Sequence, residues 1–254
     1  MSYFKIIKLD ATPSTNNYLK NKYKSRDAKD GDLVWTKNQT SGRGQREKTW
    51  FSKPVESLTF SVFKQYKDEN ISNPFIISIL VSLGIHEALS TINLPNLKIK
   101  WPNDILSCNK KVGGILIENF FNKGDLIASV IGVGLNLNQL SFNNLPNATS
   151  LRLVSGNFWH QKELLTILTQ HLYKYLYKKD FHDLNGLINQ YNEKLWRRDQ
   201  RALFESKSKN FVAIPKGVSY QGKLIIETTK MGVIERDTEQ IRILYNTIGF
   251  QDSK

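Results

Sequence analysis

Apolar and polar residues alternate over much of the first quarter of the chain, and this alternation predicts three strands. The alternating segments are Tyr3–Leu9, Gly31–Gln39 and Glu56–Gln65. After the first of them, Ser14 or Thr15 can cap a helix, because a hydroxyl oxygen accepts a hydrogen bond from a free backbone N–H group. The chain is therefore expected to begin with strand, helix and strand, and a glycine-rich loop separates the second strand from the third.

A largely apolar segment, Asn73–Ile92, follows and predicts a buried helix that packs across the sheet. Beyond it the strand pattern returns at Leu97–Trp101, Lys111–Phe121 and Leu126–Asn138. The last two strands are joined by the turn residues Asn-Lys-Gly-Asp, which are short enough for a hairpin. We therefore expect a mixed, largely antiparallel sheet.

Leucines at helical spacing predict a helix at Trp159–Leu176, and a second helix is predicted at Phe181–Trp196. From Ala202 onward four short, polar-bounded segments are typical of a small barrel-like β domain: ALFES, FVAIPKG, GKLIIETT and IRILYN. The sequence therefore predicts an α+β protein of two domains. Residues 1–199 carry the mixed sheet with packed helices, and residues 200–254 form the small C-terminal domain.

The composition is that of a folded protein with excess positive charge. Of the 254 residues, 40% are hydrophobic, and 36 basic residues against 23 acidic ones give a formal charge of +13. The basic residues are 27 lysines and 9 arginines, distributed along the whole chain. The charge therefore indicates a nucleic-acid partner, an acidic protein partner, or only a biased composition.

Cysteine and histidine usage excludes several classes of protein. Cys108 is the single cysteine, so no internal disulfide can form and nothing indicates an oxidised, secreted scaffold. The four histidines lack metal-ligand spacing, and no apolar run reaches the ~18 residues of a membrane span. We therefore expect a cytoplasmic protein with no membrane association and no tightly bound metal, while Mg²⁺ carried by a substrate is allowed.

The loop Gln39–Trp50, QTSGRGQREKTW, has the composition of an anion-binding turn. Its glycines let backbone N–H groups converge, and Arg43 offers paired donors to a phosphate or a carboxylate. The loop lacks the Gly-Lys-Ser/Thr ending of a Walker loop, and no helix opens after it as in a dinucleotide-binding fold. Taken alone, it also fits a basic surface turn.

Two further segments carry candidate ligand-binding residues. In Lys98–Glu118, Pro102 ends a strand and holds Asn103 and Asp104 where an amide and a carboxylate could meet a nucleotide phosphate and its Mg²⁺. In VIGVGLNLNQ, two glycines leave room for a flat ligand, and Asn136 could read a base edge. If they have no ligand-binding role, Asn103 and Asp104 form an ordinary Asx turn, and the glycine segment is a bulged strand.

In order and spacing, these motifs resemble those of the biotin protein ligase family. The matching residues lie between about Tyr3 and Trp196 and are Ser14-Thr15-Asn16, Gln39, Gly42-Arg43-Gly44, Trp50, Lys100-Trp101-Pro102-Asn103-Asp104, Lys111 with Gly114, and Gly134-Leu135-Asn136. If Gln39, Gly42-Arg43-Gly44 and Trp50 are counted as one loop motif, there are five ordered motifs, and together they are far more specific than any one of them. The resemblance implies a fold similar to class II aminoacyl-tRNA synthetases and biotin ligases, followed by a small SH3-like β-barrel.

The resemblance also implies a reaction in which biotin and ATP form biotinyl-5'-AMP, and a lysine of a biotin carboxyl carrier domain then receives the biotinyl group. It assigns catalysis to Arg43 and Lys111. The implied biotin-binding residues are Ser14, Thr15, Asn16, Gln39, Gly42, Arg43, Gly44, Gln45, Lys111 and Gly114. Those implied for ATP are Arg43, Lys48, Trp50, Asn103, Asp104, Lys111 and Asn136, with Mg²⁺ carried by ATP near Asp104.

Two positions depart from the family pattern. Glu47 stands where members commonly have glycine, which leaves the closure of the loop in question. Gln45 replaces a basic residue and would remove one charge from the phosphate clamp. Because the first strand begins at Tyr3, we expect the short form of the family, without sequence-specific DNA binding. The sequence leaves open whether the protein forms a homodimer.

Two alternative functions stay open beside this interpretation. A lipoate or octanoate ligase or transferase has a related fold and similar adenylation chemistry, although the GRG loop together with KWPND favours biotin. A basic nucleic-acid-binding module would place clustered arginines and exposed aromatic rings on one face, whereas arginine is scarce here. The positive charge would equally speed an encounter with an acidic carrier domain.

Overall fold

A computed structural model describes residues 3–46, 48–67, 69, 71, 73–143, 145–179, 181 and 183–245. Its central sheet consists of seven strands: β1 Lys5–Thr12, β2 Asp32–Gln39, β5 Ser57–Gln65, β6 Leu97–Lys100, β7 Asp104–Ser107, β8 Lys110–Asn122 and β9 Asp125–Asn136. A two-stranded ribbon, β3 Gly42–Arg43 with β4 Thr49–Trp50, lies in the loop between β2 and β5. The predicted loop therefore contains a small ribbon of its own.

The strand order in the central sheet is β1-β2-β5-β9-β8-β7-β6. Strands β1 and β2 are parallel, because a helix between them carries the chain back along the sheet. The other neighbouring pairs are antiparallel, including the predicted β8–β9 hairpin. The predicted mixed, largely antiparallel sheet is confirmed. The sequence analysis missed β7, a strand of four residues that follows directly on the turn Trp101–Asn103.

The helices are α1 Thr15–Lys24, α2 Phe75–Thr91, α3 Leu151–Ser155, α4 Gln161–Tyr173 and α5 Leu184–Lys194, with a π-helical turn at Lys174–Lys178 after α4. Ser14 is the N-cap of α1, as predicted, and its side chain accepts a hydrogen bond from the Asn17 N–H. The helix predicted from Phe181 begins later, at Leu184, because Asp183 caps it. None of the helices in the described part of the chain is long and apolar enough to cross a membrane.

Alternate residues of each strand contribute to two cores on opposite faces of the sheet. The larger core packs against α2, α4 and α5, and its strand residues include Leu33, Phe60, Val62, Ile131 and Val133. The smaller core packs against Leu19 of α1, and its strand residues are Val34, Phe63, Ala128 and Val130. The sheet is therefore covered on both faces, fully by helices on one and partly by α1 on the other.

A second sheet follows, with strands β10 Ala202–Ser206, β11 Lys209–Val218, β12 Leu224–Thr228, β13 Gly232–Arg236 and β14 Arg242–Ile243. Its order is β13-β12-β11-β10-β14, and all neighbours are antiparallel. The predicted C-terminal β segments are confirmed, but β13 was missed, and the described strands form an open sheet in which β13 and β14 are edges. The expected barrel closure is therefore not observed. The division at residues 199 and 200 stays a prediction.

Candidate active site

The α1 face of the central sheet carries a cleft because its side chains become small towards one end. On this face Phe63 pairs with Val130, and the next pairs along the strands are Ser61 with Gly132 and Thr59 with Gly134. The small side chains leave a cleft of about 1010 Å³. It extends from the start of α1 to β6 and β14.

Two glycines of β9 form the floor of this cleft, and larger residues could not replace them without moving a neighbour. A Cβ atom on Gly132 would lie 2.1 Å from Asn16 Oδ1, and one on Gly134 would lie 2.5 Å from Trp50 Cε2. The sequence analysis predicted that these glycines admit a flat group against the backbone. In the structure the indole of Trp50 packs there.

At one end of the cleft, the start of α1 is tied to β2 and β5 by buried hydrogen bonds. The Thr15 N–H donates to Gln39 Oε1 over 3.0 Å. Ser61 Oγ lies 2.7 Å from Thr15 Oγ1 and 2.6 Å from Asn16 Oδ1. The predicted biotin-binding residues Thr15, Asn16 and Gln39 are therefore held together, with Ser14 as the adjacent helix cap.

Glu118 collects several donors beside this network, in what we call the Glu118 cluster: Glu118, Asn16, Asn17, Lys20 and Arg43. Asn16 Nδ2 donates to Glu118 Oε2 over 2.9 Å, and Lys20 Nζ lies 2.7 Å from Oε1. Arg43 Nη1 donates to Glu118 Oε1 over 3.0 Å and to Asn17 Oδ1 over 2.9 Å. Of the two predicted catalytic cations, Arg43 is therefore paired with Glu118. Lys111 is paired with a different carboxylate, Asp104.

The pKa of Glu118 reflects this cluster. Burial alone raises the pKa of the carboxyl, but the hydrogen bonds from Lys20 and Asn16 and the charge of Arg43 outweigh burial and hold the pKa below its usual range. Glu118 is therefore an anion at neutral pH, and it anchors the loop through Arg43.

The glycine loop lines the cleft and is shaped by its ribbon. Gly42 pairs with Trp50, and a Cβ atom on Gly42 would lie 2.2 Å from the Trp50 carbonyl oxygen, so only glycine permits this approach. The Gly44 N–H donates to the Lys48 carbonyl over 2.6 Å. Gln45 and Arg46 also line the cleft. Glu47, the position that departs from the family pattern, lies outside the described residues.

At the opposite end, Asp104 contacts two side chains, one nearby in sequence and one distant. Its Oδ1 atom lies 2.6 Å from Lys111 Nζ, and its Oδ2 atom accepts a hydrogen bond of 3.0 Å from the Tyr245 hydroxyl. Asn103 Nδ2 donates to the Ile115 carbonyl over 2.7 Å, which fixes the turn against β8. Asn103 therefore holds Asp104 in place as well as lining the cleft.

Lys100, on β6, lies beside Asp104 and is only 9% exposed. Its Nζ atom is 4.6 Å from the centre of the Tyr245 ring. Burial lowers the pKa of Lys100 to about 8, because the charged form loses hydration; Asp104 counteracts this, and Lys111, Lys48 and Arg242 add to it. We call Lys100, Asp104, Lys111 and Tyr245 the Lys100 cluster.

Trp50 and Asn136 lie on the floor between the two ends. Lys111 Nζ is 5.6 Å from the centre of the Trp50 ring, and Gly114 lies under both side chains, since a Cβ atom there would be within 3.5 Å of each. Asn136 Nδ2 donates to the Thr149 carbonyl over 3.0 Å. The residues predicted for ATP therefore all line the cleft, although Arg43 does so from the end that holds the Glu118 cluster.

The sequence analysis missed several residues of the site: Lys20, Ser61, Glu118 and Tyr245, together with a ligand-binding role for Lys100. Ser61 was detectable, because strand alternation places it on the face opposite Phe60 and Val62. Glu118 and Tyr245 gave no local signal, since their partners lie far away in the sequence.

The described residues bring together no group of three or more His, Cys, Asp or Glu side chains that could hold a metal ion. Both oxygens of Asp104 already have partners. The donor set thus does not fit a resident metal centre. If a nucleotide carried Mg²⁺ on its triphosphate into the cleft, Asp104 would be the protein carboxylate nearest to the ion.

Comparison with known proteins agrees with the resemblance. A model of the biotin/lipoate A/B protein ligase family matches residues 9–136. The bifunctional ligase/repressor BirA of Escherichia coli is 31% identical over 129 residues, which are 51% of this chain and 39% of that protein. The biotin--[acetyl-CoA-carboxylase] ligase of Mycobacterium tuberculosis is 31% identical over 146 residues, 55% of this chain and 52% of that protein. These matches thus span about two fifths and one half of the relatives' lengths.

A solved structure extends the similarity over nearly the whole chain. The biotin protein ligase of Aquifex aeolicus in complex with biotin and ATP has a TM-score of 0.76 and 25% identity, and the match covers 94% of this chain and 98% of that one. The Helicobacter pylori biotin acetyl coenzyme A carboxylase synthetase shares the fold, with a TM-score of 0.60 and 21% identity over 92% of this chain. The predicted α+β fold class, with a mixed sheet and packed helices, is therefore confirmed.

Proposed function

The chain belongs to the biotin/lipoate A/B protein ligase family, and we propose that it is a biotin protein ligase. It would activate biotin with ATP to biotinyl-5'-AMP and transfer the biotinyl group to a lysine of a biotin carboxyl carrier domain. The supporting observation is one cleft with the polar network of Thr15, Asn16 and Gln39 at one end and the cations Lys100 and Lys111 at the other.

Biotin would bind at the first end. Its ureido group has N–H donors and a carbonyl acceptor, and the side chains of Ser14, Thr15, Asn16 and Gln39 supply both kinds of partner. Gly132 keeps the floor clear beside Asn16. Arg43 then carries a positive charge on the loop that covers the bound molecule, with Gly42, Gly44 and Gln45 as its neighbours in the loop.

ATP would bind at the second end, where Lys48, Lys100 and Lys111 face the cleft. In the first step, a carboxylate oxygen of biotin attacks the α-phosphorus of ATP, and the bond to the bridging oxygen breaks with release of pyrophosphate. Negative charge accumulates between these groups, so fixed cations lower the barrier without having to reorganise. Mg²⁺ would enter with ATP as part of the substrate. Trp50, Asn103 and Asn136 would line the nucleotide part of the cleft.

In the second step, the neutral amine of an acceptor lysine attacks the acyl carbon, and AMP leaves as the amine proton is lost. Closure of the loop over the mixed anhydride would exclude water until the acceptor arrives. The +13 formal charge would favour the encounter with an acidic carrier domain. We further propose that the protein acts in the cytoplasm, without sequence-specific DNA binding; a homodimer is compatible with this proposal.

Direct detection of the acyl-adenylate tests the proposal. The protein is incubated with ATP and Mg²⁺, and with either biotin or lipoate, and the products are analysed by mass spectrometry. We expect biotinyl-AMP in the first reaction and little or no lipoyl-AMP in the second. A lipoyl product alone would establish the alternative function of a lipoate or octanoate ligase.

Salt-dependent, sub-micromolar binding of DNA in the absence of biotin would instead support the nucleic-acid-binding alternative.

The adenylation reaction without Mg²⁺ is the control for the metal, since the triphosphate then lacks its counter-ion. Loss of the adenylate in that reaction is expected.

A further inference from the structure

Arg43 is held through a single nitrogen of its guanidinium group. Nη1 donates to Asn17 Oδ1 over 2.9 Å and to Glu118 Oε1 over 3.0 Å. Within the residues that the structure describes, both hydrogen bonds of the guanidinium group use this nitrogen. Arg43 also lines the cleft. The N–H donors on Nε and Nη2 are therefore left for a ligand, and together they form an edge that can bind a carboxylate or a phosphate through parallel hydrogen bonds.

The acceptors that hold Nη1 come from different elements, and the fold fixes both. Asn17 lies in the first turn of α1, and Leu19 of the same helix is fully buried against the sheet, which sets the position of the helix. Glu118 lies on β8, where it pairs with Val130 of the neighbouring strand β9. The arginine of a short ribbon is thus held against both α1 and the central sheet.

Glu118 does not cancel the charge of Arg43, because a second cation shares the carboxylate. Lys20 Nζ lies 2.7 Å from Glu118 Oε1, the oxygen that Arg43 also contacts, so one negative charge faces two positive charges. Burial raises the pKa of Glu118, but the hydrogen bonds from Lys20 and Asn16 and the charge of Arg43 outweigh it and keep the carboxyl ionised. Glu118 can therefore hold Arg43 while a net positive charge stays available to a ligand.

We propose that Asn17 and Glu118 are positioning residues for Arg43, which clamp its Nη1 atom so that Nε and Nη2 face the reacting carboxylate and α-phosphate. The identity of these reacting groups rests on the proposed function. A side chain that is 43% exposed loses rotamer freedom when it binds a ligand, and the clamp removes most of this loss in advance. Preorganised charge also lowers the barrier more than charge that must reorient.

Neither Asn17 nor Glu118 is among the described residues that line the cleft, so both must act through a neighbour. Asn17→Ala tests the clamp with little risk to the fold, because alanine favours a helix and the backbone N–H of residue 17 can still bond to Ser14 Oγ. Asn21→Ala is the matched control, since Asn21 is an exposed asparagine one turn further along α1.

The first readout is the kcat of biotin-dependent exchange of pyrophosphate into ATP. We expect Asn17→Ala to lower kcat about threefold to tenfold, as for the loss of one of two hydrogen bonds, and Asn21→Ala to change it less than about twofold. Glu118→Gln removes the charged acceptor and should lower kcat about tenfold to a hundredfold. Its control is Asp125→Asn, at an exposed carboxylate of the same hairpin.

An Arg43→Ala background decides whether these residues act through Arg43. In that background, Asn17→Ala and Glu118→Gln should each change kcat less than about twofold, because the group that they position is absent. The hydrogen bond from Asn16 to Glu118 affects the KM for biotin in both backgrounds alike. Losses of kcat that are equal with and without Arg43 would show a merely structural role and would overturn the proposal.

A measurement without ligand keeps this proposal separate from the proposed function. The nitrogen-15 order parameter of the Arg43 Nε–H bond reports how firmly the guanidinium group is held, and the signal is assigned by its loss in Arg43→Ala. We expect the order parameter to fall below about 0.6 in Asn17→Ala and Glu118→Gln and to keep a higher wild-type value in both controls.

Equal order parameters in the wild type and in Asn17→Ala would overturn the clamp. If the wild type forms no biotinyl-AMP, the ligase proposal fails, while the order parameter still tests whether Asn17 and Glu118 hold Arg43. If biotinyl-AMP forms but neither kcat nor the order parameter responds to the two substitutions, the clamp fails alone.

Discussion

The two ends of the cleft contain similar charged groups in opposite states of pairing. In the Glu118 cluster, Lys20 and Arg43 share one carboxylate, and Asn16 satisfies its second oxygen. In the Lys100 cluster, one carboxylate serves Lys111 and Tyr245 and leaves Lys100 without a close counter-ion. The first end is therefore organised before any ligand arrives, whereas the second has positive charge available for an anionic ligand.

This difference also indicates what each end contributes to the free energy of folding. The ion pairs of Glu118 are partly exposed, and such pairs typically contribute about 0–1 kcal/mol, so their main effect is to position Arg43 and Asn16. Burial of Lys100 has the opposite sign, because it costs stability in the free protein. The end that contains Lys100 is therefore less stable in the free protein than it would be with an anion bound there.

The largest expected effect comes from removing the proposed catalytic cation at each end. Lys111→Ala and Arg43→Ala should each lower the rate of biotinyl-AMP formation by about 10²–10³-fold, because each removes a preorganised charge from the reacting groups. The rate is measured as biotin-dependent exchange of pyrophosphate into ATP. Lys110→Ala is the control, since this exposed lysine adjoins Lys111 in sequence. Exchange close to the wild-type rate in either variant would contradict the corresponding assignment.

A matched pair of glycine substitutions should separate the two ends by ligand. Gly132→Ala forces Asn16 to move and should weaken biotin binding about tenfold or more, while Gly134→Ala forces Trp50 to move and should weaken ATP binding by a similar factor. Calorimetric titration of each variant with each ligand measures the effect. The comparison of the two ends would be wrong if both variants lost both ligands equally while remaining folded.

The smallest expected effect is on stability in acid. The pKa of Glu118 is lowered in the folded protein, so its contribution is present above the usual carboxyl range and is lost as pH falls through the folded value. Glu118→Gln should therefore lower the free energy of unfolding at pH 7 by about 1 kcal/mol or less, and the difference from the wild type should shrink towards pH 3. Urea unfolding at the two pH values measures it; a difference that grows in acid would show that Glu118 is not paired as described.

Much of the fold could be predicted because its signals are local. Alternation located β1, β2 and β5, the apolar segment gave α2, and the turn at Asn122–Asp125 gave the β8–β9 hairpin. The missed strands are β3, β4, β7 and β13. They are two to five residues long, and so short an alternation cannot be distinguished from a turn.

The motifs of the site could be recognised for the same reason. Gln39, Arg43, Trp50, Asp104 and Lys111 belong to short segments whose order in the chain carries information, and all of them line the cleft. Their partners could not be predicted in this way. Glu118 gives no local signal because its partners Lys20 and Arg43 lie far away in the sequence. Lys100 has the same side chain as the exposed Lys98 two residues earlier.

The amino-acid sequence by itself determined the longer strands, the longer helices, the glycine floor and the family, because these depend on periodicity and on residue types within short segments. Only the tertiary structure decided which charges are paired. Arg43 meets Glu118 across 75 positions of sequence, and Tyr245 meets Asp104 across 141. Such contacts depend on strand order, register and the placement of the C-terminal sheet, which follow from the packing of the whole chain. That packing leaves Glu118 shared by two cations and Lys100 without a close counter-ion.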